Sequence, residues 1–352
     1  AGLFNFRNQV IDPAMAQLGR MAIGLTESFN AQQRAGVDFN GNAGTDFFRP
    51  IVPSTLPSIN NGGTANFTTG ISDVGAMSGR DIVLRWDGTN WQARLASTGA
   101  SLPMTGTGTA GDPFIVEGVS LEVNGVPAVG DDILVRTGSD AARQMAMAMT
   151  DPNRIAAALP VRSSAALGNT GNGILGPLSI VDPSDPNLQA PVTIEFTAPG
   201  IYSVNGAGAF PYTPGDTIAI NGWQVTLDGT PAVGDQFNFG PMGARSGDNG
   251  NARLLANVGN VGLFNGGNQN LTAALSEMTS QFGGIARQAE YTLGAQQAID
   301  NQLQTERDAV SGVNLDEEAA NLLKFQQSYQ AAAQIISIAN AAFDSLLAAV
   351  RR

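Results

Sequence analysis

Apolar residues near the C-terminus recur in steps of four and three: Leu315, Ala319, Leu322, Gln326, Tyr329, Ala333, Ile336, Asn340, Phe343, Leu347 and Val350, nine of the eleven apolar. That spacing predicts an amphipathic helix with a coiled-coil seam. Asn314 is placed to cap it and Glu317 to reach back to the cap. Acidic Asp316, Glu317 and Glu318 stand at the positive end of the helix dipole, and Arg351 and Arg352 at the negative end. From Leu315 to Val350 the helix would run about 50 Å at ~1.5 Å per residue, longer than the helices of ordinary globular domains. The alternative is that the stripe packs inside one globular domain, but only the preceding helix is long enough to cover it. Leu315, Leu322, Tyr329, Ile336, Phe343 and Leu347 are therefore the candidate assembly residues. Gln326 and Asn340, on the same seam, are of the polar type that fixes register or partner number.

The same spacing occurs twice more. Ile11, Met15, Leu18, Ala22, Leu25 and Phe29 predict a helix that starts at an Asp12-Pro13 cap and stops at a left-handed Gly36. From Leu271 to Val310 a third seam is expected, with Gly283-Gly284 as a bend and Ser311-Gly312 as a stop. Between these helices the period changes from about 3.6 to 2. Prolines 50, 53 and 57 and glycines 62 and 63 mark the change. Alternating runs at 81–86 and 91–95 flank Asp87-Gly88-Thr89-Asn90, a hairpin signal. Further strands are predicted from Phe114 to Val119, Ser120 to Val123 and Ile133 to Arg136, with Asn124-Gly125 as a turn. Short helices are expected at 140–149 and 151–159.

A repeat organises this middle region. GVPAVGD at 125–131 returns as GTPAVGD at 229–235, each between two short strands and 104 residues apart, the size of a small β domain. The fold expected is α+β and multidomain: long coiled-coil-type helices from both chain ends, with two tandem, mainly antiparallel β domains inserted between them. Its parts are a helical core segment and loop at 1–49, β domains at 50–159 and 160–268, a second helical core segment at 269–312 and the assembly helix at 313–352. The glycine-rich stretches 168–176 and 259–267 read as linkers.

Composition narrows the function. In 352 residues, 43% are hydrophobic and only 14% charged, enough to bury several cores. The net charge of −12 speaks against an extended nucleic-acid surface. Cysteine and histidine are both absent, which removes disulfides, thiol catalysis and the usual soft metal ligands. No run approaches the length of a membrane span and no signal peptide opens the chain, so no membrane partner is expected.

Candidate chemistry is sparse. Asp38 to Asn42 resembles part of a calcium loop, but Ala43 stands where the sharp-turn glycine belongs and the distal glutamate is missing, so a Gly/Asn turn is the better reading. Asp131, Asp132 and Asp235 suggest paired glycosidase carboxylates. However, adjacent strand residues face opposite sides, and the Pro-Ala-Val-Gly-Asp motif reads better as a tight turn whose Asp satisfies backbone N–H groups. The glycine-rich stretches lack the Gly-Lys-Ser/Thr ending and the helix context of a phosphate loop. Trp86, Trp91, Tyr202 and Trp223 would form a sugar-stacking face in an extracellular carbohydrate-binding protein; core packing is the competing reading. No catalytic, cofactor-binding or metal-binding residue is assigned, and no enzyme activity is expected.

SGVNLDEEAANLLKFQQSYQAAAQIISIANAAFDSLL, at 311–347, resembles the C-terminal signature of bacterial flagellar axial proteins, the hook-associated members in particular. DPAMAQLGRMAIGLTESFNAQQRAGVDFNGNAGTDFF, at 12–48, resembles the stretch in which a long helix of that family runs into an Asn/Gly-rich loop. The resemblance implies a structural subunit of the flagellum, secreted through the flagellar export channel and packed against copies of itself and against neighbouring hook and filament-side junction proteins. An export chaperone is a further implied partner. Rod, hook or filament subunits share the tail in outline. The family also carries a long N-terminal portion that pairs with the C-terminal helix. Ala1-Gly2-Leu3-Phe4 resembles neither an initiator region nor that helix, so the chain is expected to be the C-terminal part of a longer protein.

Overall fold

The computed structural model describes residues 2–312 and 315–350. Two compact units divide it, residues 1–282 and 283–352. A helical run opens the first: α1 (Gly2–Phe6), a π-helical turn over Arg7–Ile11 and α2 (Asp12–Arg34). Asp12 is therefore not the cap that the Asp-Pro pair predicts, because Ile11 already has helical dihedrals. Pro13 has no N–H to donate, and the wider turn just before it lets Asp12 N–H reach the Arg7 carbonyl instead.

The period expected for α2 is present, but the buried face is another one. Ala16, Gly19, Ile23, Thr26, Asn30 and Gln33 are buried, and of the expected seam Ala22, whereas Ile11 and Leu18 are exposed and Met15, Leu25 and Phe29 half-buried. Backbone approach explains the choice of small side chains, since a Cβ on Gly19 would overlap the Gly138 carbonyl. Gly36 is likewise not the left-handed stop predicted for it. Its φ is not positive, and what it provides is room, because any Cβ there would overlap the Asn251 amide.

Polar side chains on this buried face bind neighbouring backbone. Asn30 Oδ1 accepts from the N–H groups of Phe47 (3.0 Å) and Phe48 (2.9 Å), and its Nδ2 donates to the Phe48 carbonyl (2.9 Å). Phe29, Phe47 and Phe48 pack on one another with centroids 4.9 to 5.4 Å apart, Phe48 edge-on to the other two. Asp38 Oδ1 accepts from Asn40 N–H (2.9 Å) and Asn42 N–H (2.8 Å), a side-chain-stapled turn of the type the Gly/Asn reading expects.

Eight strands follow: β1 (Ser54–Pro57), β2 (Asn66–Ile71), β3 (Ile82–Trp86), β4 (Trp91–Leu95), β5 (Ser101–Leu102), β6 (Phe114–Val116), β7 (Val119–Asn124) and β8 (Asp132–Arg136). They form an antiparallel sheet ordered β1-β8-β3-β4-β5 and a smaller one ordered β2-β7-β6. The strand predicted from Phe114 to Val119 is split by a two-residue turn, Glu117-Gly118, in which both residues have positive φ. Glutamate is uncommon there, and the usual Asn-Gly signal was missing. The Glu117 carboxylate is held by Ser78 Oγ and Arg80.

Instead of the short helices expected at 140–149 and 151–159, α3 (Ala141–Gln144) and a single 3-10 turn at Pro152–Arg154 appear. Nine more strands follow: β9 (Val161–Ala165), β10 (Ile174–Leu175), β11 (Ser179–Ile180), β12 (Val192–Ala198), β13 (Ile201–Val204), β14 (Ala207–Pro211), β15 (Asp216–Ile220), β16 (Trp223–Asp228) and β17 (Gln236–Pro241). Read from β9, the large sheet runs β9-β17-β12-β13-β14, strand for strand the order β1-β8-β3-β4-β5. In the small sheet β15 and β10 flank β16 as β6 and β2 flank β7. Where β2 is unbroken, β10 and β11 pair with opposite ends of β16, because Pro177 lies between them and cannot donate to a ladder. Each set of sheets has its own core. Ile82, Leu84, Leu121, Ile133 and Val135 are buried in the first, with Ile23 of α2; Ile194, Phe196, Trp223, Leu227 and Phe237 are buried in the second.

The stretches read as linkers are built into the fold. Residues 168–176 supply the partners of Asp235 described below. Residues 250–264, read from the sequence with the second β domain, pack on α2 through α4 (Gly250–Asn257) and Phe264. Asn251 donates to the carbonyls of Gln32 (3.1 Å) and Ala156 (2.6 Å), and Phe264 is fully buried beneath Arg20, whose guanidinium lies 5.0 Å above its ring. Asn270 Oδ1 then accepts from Ala273 N–H (2.8 Å) and caps α5 (Leu271–Ser311), which runs through Gly283-Gly284 without a break in its helical assignment. The second unit holds the rest of α5 and α6 (Leu315–Val350). The architecture is α+β, with helices at both ends of the described chain and antiparallel sheets between them.

Candidate assembly surface

Every described side chain of α6 is exposed within this chain. Leu315, Leu322, Tyr329, Ile336, Phe343 and Leu347, the predicted seam, are all among the large exposed hydrophobics, with Leu322 67%, Tyr329 78% and Ile336 62% accessible. Asn314, the predicted cap, lies outside the described residues, as do Arg351 and Arg352; Glu317 is in the first helical turn beside Asp316 and Glu318. The seam alone understates the apolar surface. Leu323, Ile335 and Ile338 are also more than half exposed. At about 100° per residue, Leu323 and Ile338 sit roughly 100° and 160° round the helix from Leu322. A helix apolar on so many sides is stable in water only when surrounded, and one neighbour along one seam is not enough.

By length and composition alone, the helical stretch ending at Val350 is apolar enough to cross a membrane, which corrects the expectation that no run reaches that length. Its alanine-rich second half raises the mean hydropathy, while Gln326 and Asn340 on its seam fit a protein-covered helix better than lipid.

Of the other candidates, Asp132 is paired with Arg85 at 3.2 Å, and two are buried in turns. Asp131 and Asp235 are both 2% exposed. Asp131 accepts from the N–H groups of Ala128 (2.8 Å), Gly62 (2.8 Å) and Gly63 (3.1 Å). Asp235 accepts from Thr170 (2.7 Å), Ala232 (2.8 Å) and Gly171 (3.0 Å). Beside them Asn61 exchanges two hydrogen bonds with the Asp132 backbone, and Asn169 two with that of Gln236, all at 2.8 to 2.9 Å. The repeat thus has two halves. Its upstream half, Asn61-Gly62-Gly63-Thr64 and Asn169-Thr170-Gly171-Asn172, shares too few letters to be seen without the contacts it makes. The N–H group of Ala128, followed by those of Gly62 and Gly63, holds the Asp131 carboxyl below the usual range against the opposing effect of burial. At Asp235 burial pushes upward, and the N–H groups of Thr170, Ala232 and Gly171 outweigh it.

Both carboxylates are therefore more acidic folded than unfolded, so the unfolded chain binds more protons as pH falls below about 5. Their stabilisation is present above the unfolded pKa and is lost as pH drops through the folded one. Asp81, whose carboxyl is raised by burial, acts in the opposite direction. Melting temperature is expected to fall between about pH 5 and pH 3. It should fall less steeply in Asp131→Asn/Asp235→Asn, which starts lower at pH 7; equal slopes in differential scanning calorimetry would contradict this reading.

The aromatic residues do not share an exposed face. Trp91 and Trp223 are buried, and Trp86 is half-buried against Trp91 with ring centroids 5.5 Å apart. Tyr202 is half-buried, stacked on Phe210. Among the described residues no group of three acidic side chains is arranged to hold a metal ion.

Known proteins share this arrangement. The family described as "Flagellar hook-associated protein FlgK helical domain" matches residues 1–48, "Flagellar hook-associated protein 1, D2-like domain" matches 56–137, and "Flagellar basal body rod FlgEFG protein C-terminal" matches 306–349. Flagellar hook-associated protein 1 of Escherichia coli K12 is 28% identical over 347 residues, which is 98% of this chain and 48% of that protein. The Salmonella typhimurium protein of the same name is 26% identical, covering 98% and 49%. The solved flagellar hook junction protein FlgK from Burkholderia pseudomallei superposes with a TM-score of 0.78 at 26% identity, over 88% of this chain and 62% of that one. The chain spans about half the length of the curated relatives it matches. These likenesses set the chain beside proteins of the flagellar axial class. Within that class, the chain is similar to flagellar hook-associated protein 1.

Proposed function

We propose that this protein is a non-catalytic subunit joining hook to filament outside the cell, and that α6 is the surface by which it assembles. The observation that carries the reading is the apolar surface of α6, open on several sides of the helix in a chain similar to these proteins. Leu315, Leu322, Tyr329, Ile336, Phe343 and Leu347 would be covered by copies of the same chain, with hook-side and filament-side junction proteins as further neighbours and an export chaperone as a transient one. Residues 50–159 and 160–241 would stand outward as two β domains of common plan, with 1–49 and 242–282 as their helical base.

Gold-labelled antibody against the β domains, viewed on isolated flagella by electron microscopy, tests the position. Label confined to the hook–filament boundary is expected. Label along the rod, hook or filament would move the subunit elsewhere on the axis, and absence from flagella would end the reading.

A further inference from the structure

An asparagine followed by glycine is open to attack by its own backbone, because no Cβ shields the glycine nitrogen from the side-chain amide. Eight such pairs occur in this chain. In seven of them the fold occupies the asparagine amide, the glycine N–H or both. At Asn61 both are taken, since the amide exchanges hydrogen bonds with the Asp132 backbone and Gly62 N–H donates to Asp131 (2.8 Å). At Asn265 the amide donates to Gln269 (2.8 Å) and Gly266 N–H to the Gly75 carbonyl (3.3 Å). Asn205, in the two-residue turn between β13 and β14, accepts from Thr193 N–H (2.8 Å).

Asn221 is the exception. With Gly222 it closes the two-residue turn between β15 and β16, at φ of 48° and 77°. Among the described residues neither its side chain nor Gly222 N–H has a hydrogen-bond partner. Both residues are half-exposed, so water reaches them.

We propose that Asn221 is the site at which the folded chain deamidates. The Gly222 nitrogen gives up its proton and bonds to Asn221 Cγ, and the side-chain nitrogen leaves as ammonia, which closes a five-membered succinimide. Water then adds to one of the two ring carbonyls. Opening gives aspartate or isoaspartate, each with one more negative charge than asparagine, and water is the only other reactant. Isoaspartate carries an extra methylene in the backbone, and this turn has little slack to take it up. The Gly222 carbonyl accepts from the N–H groups of Val181 (2.8 Å) and Asp182 (2.9 Å). Trp223, the next residue, is fully buried and stacked on Phe239 at 4.2 Å. The second β domain therefore bears the damage, and the first does not.

Incubation of the full chain in mildly alkaline buffer, followed by peptide mass spectrometry over time, tests the assignment. Asn221 is expected to convert at least tenfold faster than Asn61 and Asn265, which react only when their contacts open; tenfold corresponds to an opening cost of about 1.4 kcal/mol. In urea, where those contacts are gone, the three should convert at comparable rates. Folded material in which another Asn-Gly pair leads, or in which Asn61 keeps pace with Asn221, overturns the proposal. Chains with isoaspartate at position 221 should unfold the Trp223 domain at lower denaturant. An unchanged transition would overturn the stated consequence for that domain.

Discussion

Leu322→Asp together with Ile336→Asp is expected to abolish assembly through α6 while leaving the β domains melting as before. Each side chain, if fully covered in the assembly, contributes about 1.5–3 kcal/mol, so losing both removes roughly 3–6 kcal/mol per copy. That corresponds to a weakening of about a hundredfold or more before the cost of burying two carboxylates is counted. Neither residue belongs to the cores formed by Ile82, Leu84 and Ile133, by Phe196, Trp223 and Phe237, or by Met21 and Phe264. Sedimentation of the assembled form and calorimetric melting of the dispersed chain read the two effects separately. Loss of the whole fold in the double variant would refute this division of labour.

A second large effect is expected from Phe196→Ala. This ring is fully buried, with Tyr212 at 5.1 Å edge-on and Tyr202 and Phe237 at 6.0 and 6.2 Å. Truncating it should cost the second β domain about 3–5 kcal/mol, by lost transfer energy and by the cavity left among rings that cannot collapse. The first domain should not notice, because the two buried clusters share no residue. The chain has three tryptophans, of which Trp86 and Trp91 report on the first domain and Trp223 on the second. In variants keeping only one set, the Trp223 transition should move to lower denaturant while the Trp86/Trp91 transition stays. Equal shifts of both would mean that the sheets unfold as one cooperative body.

How far the sequence reaches depends on what each residue responds to. The three long helices and the strands around 82–95, 114–124 and 132–136 were legible because their apolar period is set by local geometry, as in the Leu315 to Val350 seam and the alternation through Ile82, Leu84 and Trp86. The clasp aspartates were legible as turn residues for the same local reason. Faces were harder to read. On α2 Leu18 and Phe29 are less buried than Ala16 and Gly19, because close backbone approach at Gly138 selects Gly19 and its small neighbours. Distance along the chain hid the rest. Asn61 and Asn169 find their partners 71 and 67 residues away, and residues 250–264 return to a helix more than two hundred residues earlier. Nothing local in 259–267 distinguishes a linker from a segment anchored by a buried Phe264. In α6 the seam was visible, but the breadth of its apolar surface became clear only when Leu323, Ile335 and Ile338 were placed around the helix.

The absence of cysteine from the chain allows the most direct measurement. A single cysteine in place of Ile336 should react with a maleimide at the rate of an open side chain in the dispersed protein and at least tenfold more slowly once copies have assembled. A cysteine in place of the exposed turn residue Thr98 should react alike in both states. Assembly that leaves the cysteine at position 336 as reactive as before would contradict the claim that α6 is the surface neighbouring copies cover.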